Sequence, residues 1–195
     1  MTSAGAGYPP LWILRHGQTE WNVEGRLQGS LDSSLTPLGV AQAKAQQAIL
    51  KNVLPKGVRV ISSPSSRAWR TAEIATEGLA QTITSDPDLR EIGMGDWAGR
   101  LVAEVRAERP GIPADDVHMW KFTAPGGETL EEMTSRVARV LERVSGPTVM
   151  ITHGVTSRLL RCLVLGRPAL DLPDLPGGQG VVHYLADGRA HVLDG

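Results

Sequence analysis

Short apolar runs alternate along the chain with longer segments whose apolar residues recur at helical spacing. The short runs predict strands at residues 11–14, 57–62, 81–85 and 147–152, of which the first two are expected to be buried. The longer segments predict helices at residues 35–50, 65–79, 99–111, 129–144 and 154–166. Because strands alternate with helices, we expect an α/β protein, a three-layer α/β/α sandwich around a mostly parallel sheet.

Local signals mark where some of these elements begin and turn. Thr36 suits the N-cap of a helix and Pro37 its first position, so a helix is expected to begin there. Near the C-terminus, Asp187-Gly188 stands between two strand-like segments within residues 180–195, which is typical of a tight hairpin turn. The hairpin is therefore predicted to add an antiparallel edge to the sheet.

The length of the chain, 195 residues, suffices for one well-packed domain and is too short for two ordinary ones. We predict a flexible tail at residues 1–10 and a single domain over residues 11–195. The periodic patterns weaken in the middle of the chain. A small cap-like excursion beyond the sheet is therefore expected around residues 95–127.

The composition argues against several classes of protein. The 20 basic and 21 acidic residues give a net charge of −1, whereas a nucleic-acid-binding protein needs a basic excess. No apolar run approaches the roughly 18 residues of a membrane span, and the first residues lack the regions of a signal peptide. A single cysteine, Cys162, suits a reducing compartment. We expect a cytoplasmic protein with no nucleic-acid or membrane partner. The sequence is compatible with a homodimer.

Polar residues that suit phosphate chemistry follow the predicted strands. Arg15 and His16 end the first strand, Arg67 follows the second, and His153 ends the fourth. Glu91 comes shortly after the third strand. Because ligands of open α/β folds bind at the carboxyl ends of the strands, we expect these side chains at one rim of the sheet.

This set of residue types suits phosphoryl transfer. The planar guanidinium groups of Arg15 and Arg67 can clamp a phosphate dianion, and Gly17 and Gly154 can let main-chain N–H groups approach it. A neutral imidazole is a competent nucleophile toward phosphorus, and nearby cations favour the neutral form. Glu91 could then protonate the leaving alkoxide as a general acid.

Two metal-dependent alternatives fit the sequence less well. Asp86 and Asp88 form a D-x-D pattern after a predicted strand, as in phosphatases that use an aspartyl nucleophile and magnesium. The residues around them fit that motif poorly, and a turn through Pro87 explains them better. The five histidines show no paired spacing typical of a structural zinc site.

Several motifs together resemble the histidine phosphatase superfamily, the phosphoglycerate-mutase-like proteins. The matching segments are LRHGQTEWN, GSLDSSLTPLGVAQA, SSPSSRAWRTA, LREIGMGDWAG, PGGET and ITHG. They extend over most of the chain from residue 11 to residue 154, and each motif alone would carry a high risk of a chance match.

The resemblance implies a role for each matching residue. His16 is similar to the phosphorylated nucleophile of the family and Glu91 to its proton donor. Arg15, Arg67 and His153 are similar to the other members of its phosphate pocket. Asn22 and Gly29 match positions that line the same pocket, which Gly154 is expected to join as argued above. The family needs no metal, and we expect no cofactor.

The motifs do not separate a phosphatase from a mutase, since both use this pocket. The glycolytic mutases of the family carry a longer basic insertion that holds a second phosphate, and their ERRxY pattern is absent here. Hydrolysis of a small phosphomonoester is therefore the favoured prediction, with mutase-type phosphoryl transfer as the alternative. A non-catalytic module that binds phospholigands is a third reading, disfavoured because the whole set of candidate residues is present. Ala98 replaces the glutamate of the family's usual GDWEG motif.

Overall fold

The computed structural model describes residues 7–79 and 82–194, and within them the strands form one six-stranded sheet. The strands are β1 (Leu11–Arg15), β2 (Arg59–Ser62), β3 (Ile83–Ser85), β4 (Thr148–Thr152), β5 (Val182–Ala186) and β6 (Arg189–Leu193). Their order across the sheet is β3-β2-β4-β1-β5-β6. The first four are parallel, whereas β5 and β6 run antiparallel to their neighbours. The predicted antiparallel C-terminal edge is confirmed.

The helices connect the strands of this sheet. They are α1 (Glu20–Glu24), α2 (Pro37–Val53), α3 (Ser66–Ala75), α4 (Val102–Glu108), α5 (Leu130–Glu142) and α6 (Gly154–Val164). Helix α2 begins as predicted, since the Thr36 hydroxyl accepts a hydrogen bond from the Gly39 N–H at 3.0 Å. Helices α3 and α4 are shorter than predicted, and α1 was not predicted because a five-residue helix is too short for a periodic pattern.

The sheet is covered on both faces. In β1, Leu11 and Ile13 belong to an apolar cluster that includes residues of α5 and α6. Trp12 and Leu14 of the same strand belong to a second cluster, with residues of α2 and α3. Because alternate side chains of a strand point to opposite faces, the two clusters lie on the two sides of the sheet. This arrangement is the predicted three-layer α/β/α sandwich.

The C-terminal hairpin turns at the predicted dipeptide. Asp187 and Gly188 both have positive φ angles, 51° and 70°, as a two-residue type I′ turn requires. Strand β6 is the solvent-exposed edge. In the described part of the chain, no helix is long and apolar enough to cross a membrane.

Two segments differ in detail from their predictions. Residues 1–6 of the predicted tail lie outside the described residues, but Tyr8 packs against the core and the Pro10 carbonyl accepts a hydrogen bond from the Thr148 N–H at 3.1 Å. The predicted tail is therefore too long at its C-terminal end. The 95–127 segment contains α4, inside the helix predicted at residues 99–111, and a 3₁₀ turn (Met119–Thr123) that was not predicted.

Candidate active site

The parallel register of the sheet brings the polar strand ends together. Arg15, the last residue of β1, pairs with Thr152, the last residue of β4. The next residues, His16 and His153, therefore lie side by side, with their ring centroids 5.2 Å apart. Ser63 follows the last residue of neighbouring β2, and its main-chain N–H donates to the Ile151 carbonyl at 2.9 Å, so the same rim continues toward α3.

A cavity of about 110 Å³ opens at this rim. Six of the predicted site residues line it, namely Arg15, His16, Asn22, Gly29, Arg67 and Glu91. The other two, His153 and Gly154, lie against the lining residues His16 and Arg15. The cavity is smaller than the roughly 300–1,000 Å³ of pockets for drug-sized ligands, so its size suits a phosphoryl group.

One contact determines which nitrogen of His16 is available. Its Nδ1 lies 2.7 Å from the Gly17 carbonyl oxygen, which can only accept a hydrogen bond. Nδ1 must therefore carry the proton when the ring is neutral, which leaves the lone pair on Nε2. Burial, followed by the charges of His153, Arg15 and Arg67, lowers the pKa of His16 well below its ordinary value. At neutral pH the imidazole is uncharged and Nε2 can act as a nucleophile.

The guanidinium of Arg67 is held from one side by the loop after α1. Its Nη1 donates to the Leu31 carbonyl at 2.7 Å and to Asp32 Oδ1 at 2.9 Å, and its Nη2 donates to the Gly29 carbonyl at 3.0 Å. Its Nε is buried and has no hydrogen-bond partner among the described residues. The fork is thus fixed in place and keeps a donor free for a ligand.

Arg15 lies on the other side of the cavity. Its Nε is also buried and lacks a hydrogen-bond partner in the described part of the chain. A Cβ atom placed on Gly154 would lie 3.5 Å from this nitrogen, so the first residue of α6 packs closely against the guanidinium. Burial lowers the pKa of Arg15, although Glu91 acts in the opposite direction. A buried donor without a partner is costly, and an anion in the cavity would satisfy it.

His153 is completely buried behind the cavity. Its Nε2 lies 2.8 Å from Ser63 Oγ, and its Nδ1 has no partner among the described residues. Burial, followed by the charges of Arg67 and Arg15, lowers the pKa of His153 well below its ordinary value. The ring is therefore neutral at neutral pH, and a nearby negative charge would favour its protonation.

Glu91 sits at the start of α6 and accepts hydrogen bonds from its first turn. Oε2 accepts from the Val155 N–H at 3.2 Å, and Oε1 accepts from the N–H and hydroxyl of Thr156 at 3.2 and 3.0 Å. Burial raises the pKa of Glu91, but Lys121, these hydrogen bonds and Arg15 outweigh it, so the pKa lies below its ordinary value. Without a ligand the carboxyl is ionised at neutral pH.

The two glycines expected to approach a phosphate have different surroundings. A Cβ atom on Gly17 would lie 2.2 Å from the Gly39 carbonyl oxygen, and one on Gly39 would lie 2.1 Å from the Gln18 carbonyl oxygen. Gly17 is therefore required for close packing of the β1 end against α2. Its N–H donates to the Thr71 hydroxyl at 3.1 Å and is not left for a ligand, which corrects its expected role. Gly154, beside Arg15, is at the site.

Sequence reasoning missed several residues that shape the site. Asp32 accepts hydrogen bonds from the main-chain N–H groups of Ser66 and Arg67, so it caps α3 and also orients Arg67. Gln28 and Lys121 also line the cavity, and neither lies in one of the motif segments that resemble the family. Asp32 lies in the GSLDSSLTPLGVAQA segment, and that motif is the signal that could have identified it.

The D-x-D pair does not form a comparable site. Asp86 and Asp88 bind Arg143 at 2.8 and 2.9 Å, and Asp88 also binds Arg139 at 3.0 Å. Burial raises the pKa of Asp88, but these arginines outweigh it and the pKa is lowered. Both carboxylates are therefore committed to ion pairs with α5, and neither lines the cavity described above.

The fold and the rim define an α/β protein with a histidine and two arginines at one small cavity. Comparison with known families makes the assignment specific. The chain belongs to the histidine phosphatase superfamily (branch 1), whose family model matches residues 11–187. The family predicted from the motifs is confirmed.

Among the proteins similar in sequence, some are named as mutases and others as phosphatases. The chain is 33% identical over 174 residues to the probable phosphoglycerate mutase GpmB of Proteus mirabilis, with 82% of this chain and 76% of that protein covered. It is also 33% identical over 185 residues to the glucosyl-3-phosphoglycerate phosphatase of Mycolicibacterium vanbaalenii, with 87% and 80% covered.

Solved structures show the same fold. A mycobacterial glucosyl-3-phosphoglycerate phosphatase in complex with VO3 superimposes with a TM-score of 0.78 at 30% identity, covering 95% of this chain and 98% of that chain. YhfR of Bacillus stearothermophilus superimposes with a TM-score of 0.79 at 32% identity, covering 95% and 96%. The predicted phosphoglycerate-mutase-like fold is confirmed.

Proposed function

We propose that the protein is a metal-independent phosphomonoesterase that hydrolyses a small phosphorylated metabolite through a phosphohistidine at His16. The observation that carries the proposal is the hydrogen bond from His16 Nδ1 to the Gly17 carbonyl, at 2.7 Å, inside a cavity that also holds Arg15 and Arg67. The contact leaves Nε2 as the attacking atom. The arginines are the cations that a phosphate dianion needs beside it.

In the first step, His16 Nε2 forms a bond to phosphorus while the bond from phosphorus to the leaving oxygen breaks. When the negative phosphate enters the cavity, the pKa of Glu91 rises and its carboxylate takes up a proton from the solvent. The leaving oxygen then takes that proton from Glu91. Arg15, Arg67 and a protonated His153 stabilise the charge on the transferred group. The products are a neutral alcohol and the phosphorylated imidazole.

In the second step, water replaces the alcohol. Glu91 is now ionised and takes a proton from the water as its oxygen bonds to phosphorus. The bond from phosphorus to Nε2 breaks, the electron pair returns to the imidazole, and inorganic phosphate leaves. The same carboxyl therefore acts first as an acid and then as a base.

The test is a search for the covalent intermediate. Wild-type protein mixed with a ³²P-labelled phosphomonoester and quenched should retain a label that is stable in base and labile in acid, and His16→Ala should retain none. His191→Ala is the matched control, since that histidine is exposed on edge strand β6. Label on an aspartate or serine would overturn the mechanism.

Mutase-type transfer is the second candidate, favoured by the similarity to a probable phosphoglycerate mutase. A panel of phosphomonoesters, assayed both for inorganic phosphate and for isomerised product, separates the two. Release of phosphate without isomerisation supports the phosphatase, and isomerisation in excess of hydrolysis supports the mutase. A phosphate-binding module without catalysis would bind the anion and yield neither product.

A further inference from the structure

The loop between α6 and β5 crosses the rim of the sheet beside the cavity. Two arginines of α6 hold its second half, since Arg158 Nε donates to the Leu175 carbonyl at 3.1 Å and Arg161 Nη2 donates to the Pro176 carbonyl at 2.8 Å. Neither arginine has a carboxylate partner within salt-bridge distance among the described residues. Each arginine therefore gives one donor to this loop.

Gln179, near the end of the loop, reaches back to the candidate nucleophile. Its Nε2 lies 3.1 Å from the main-chain carbonyl oxygen of His16 and 3.3 Å from Asn22 Oδ1. A carbonyl oxygen can only accept, so the amide nitrogen of Gln179 must face His16. The two N–H groups of this nitrogen suit the two oxygens.

The orientation of the Asn22 amide follows from the same logic. Oδ1 accepts from the Thr19 main-chain N–H at 3.1 Å, a group that can only donate, and it also accepts from Gln179. Two donors therefore hold the oxygen of Asn22 in place. Because the amide nitrogen lies on the other branch of the side chain, it is left available to the cavity that Asn22 lines.

We propose that Gln179 is a positioning residue, which holds Asn22 so that its amide N–H groups, and not its oxygen, are presented to the phosphoryl group. This inference rests on the proposed phosphate site. An amide oxygen turned toward a phosphate would repel it, whereas an N–H group donates to it. Gln179 thus acts on the ligand through Asn22 and does not need to touch it.

The test measures binding of inorganic phosphate by isothermal titration calorimetry, which does not require turnover. Gln179→Met keeps the length of the side chain and removes both donors. We expect its dissociation constant for phosphate to rise about ten-fold, the size of effect that one or two polar contacts produce. Gln47→Met is the matched control, because Gln47 also donates to a main-chain carbonyl, that of Glu77 at 2.9 Å, away from the cavity. It should bind phosphate as wild type does.

A double-mutant cycle separates positioning from a general loss of structure. In an Asn22→Ala background, Gln179→Met should change phosphate affinity by less than about two-fold, because the group through which Gln179 acts is gone. If Gln179→Met fails to fold, Gln179→Leu replaces it; that variant also removes both donors without adding a charge and should weaken binding by about the same factor.

The outcomes are distinct. Unchanged affinity in Gln179→Met, or a ten-fold loss that persists in the Asn22→Ala background, overturns the positioning role. Wild-type protein that binds phosphate but forms no phosphohistidine contradicts the proposed catalysis and leaves this inference standing. Wild-type protein that binds no phosphate contradicts both.

Discussion

If Glu91 acts as a general acid, the rate lost on its replacement should depend on the leaving group of the substrate. An alkyl phosphate must expel a strongly basic alkoxide, so Glu91→Gln should slow phosphorylation of His16 by about 10²–10⁴-fold with a sugar phosphate. p-Nitrophenyl phosphate expels a stable phenolate that needs little protonation. The same substitution should therefore cost far less with the aryl ester.

The structure also indicates what Glu91→Gln does to the fold. Oε1 can still accept from Thr156, but the new amide nitrogen would face the Val155 N–H, which now donates to Oε2 at 3.2 Å. One buried donor would lose its acceptor, which costs about 1–3 kcal/mol of unfolding free energy. That loss of stability is the same for both substrates, so it does not alter their ratio.

The assay is single-turnover phosphorylation, followed by rapid quench with each substrate. Steady-state rates would mix this step with hydrolysis of the phosphohistidine, where Glu91 acts as a base and both substrates share one intermediate. Glu131→Gln is a suitable control, since Glu131 is an exposed carboxylate at the start of α5. Equal losses for the two leaving groups would refute the acid role and leave Glu91 with a positioning role.

Three further predictions follow from the site. Phosphatase activity should survive excess chelator, because the proposed cations are side chains; strict magnesium dependence in the same assay would contradict this. Arg67→Lys should raise the KM for phosphomonoesters at least about ten-fold, since an ammonium cannot bind Asp32, the Leu31 carbonyl and a phosphate at once as the guanidinium does. Steady-state kinetics at unchanged thermal stability would test this. An unchanged KM would count against binding of the phosphate by Arg67. His153 has a lowered pKa in the folded protein, so below about pH 6.5 its imidazole binds a proton in the unfolded chain but not in the folded one. The free energy of unfolding therefore decreases as the pH decreases. In urea unfolding, the stability lost between pH 6.5 and pH 5.5 should be about 1 kcal/mol smaller in His153→Gln than in wild type, because the unfolded imidazole is only half protonated at the upper end of this interval. Equal losses would show that His153 is not buried in its neutral form.

The sequence alone was sufficient for the fold class and for most of the candidate site, because both depend on local signals. Apolar runs mark the buried strands, and the residues that follow them must lie at the carboxyl edge of a parallel sheet. His16 and His153 are adjacent for this reason, since they follow the paired residues Arg15 and Thr152. Motif spacing then predicted the family that the comparison confirmed.

The tertiary structure alone decided how these groups are oriented. Asp32 holds Arg67 from 35 residues away, and Gln179 reaches His16 across 163 residues, so no local pattern could predict either contact. The expected role of Gly17 was wrong because the packing partner Gly39 lies on a helix whose approach to the strand end is a property of the whole fold. Ionisation was decided in the same way, since the pKa values of His16 and Glu91 depend on burial and on charges brought together only by folding.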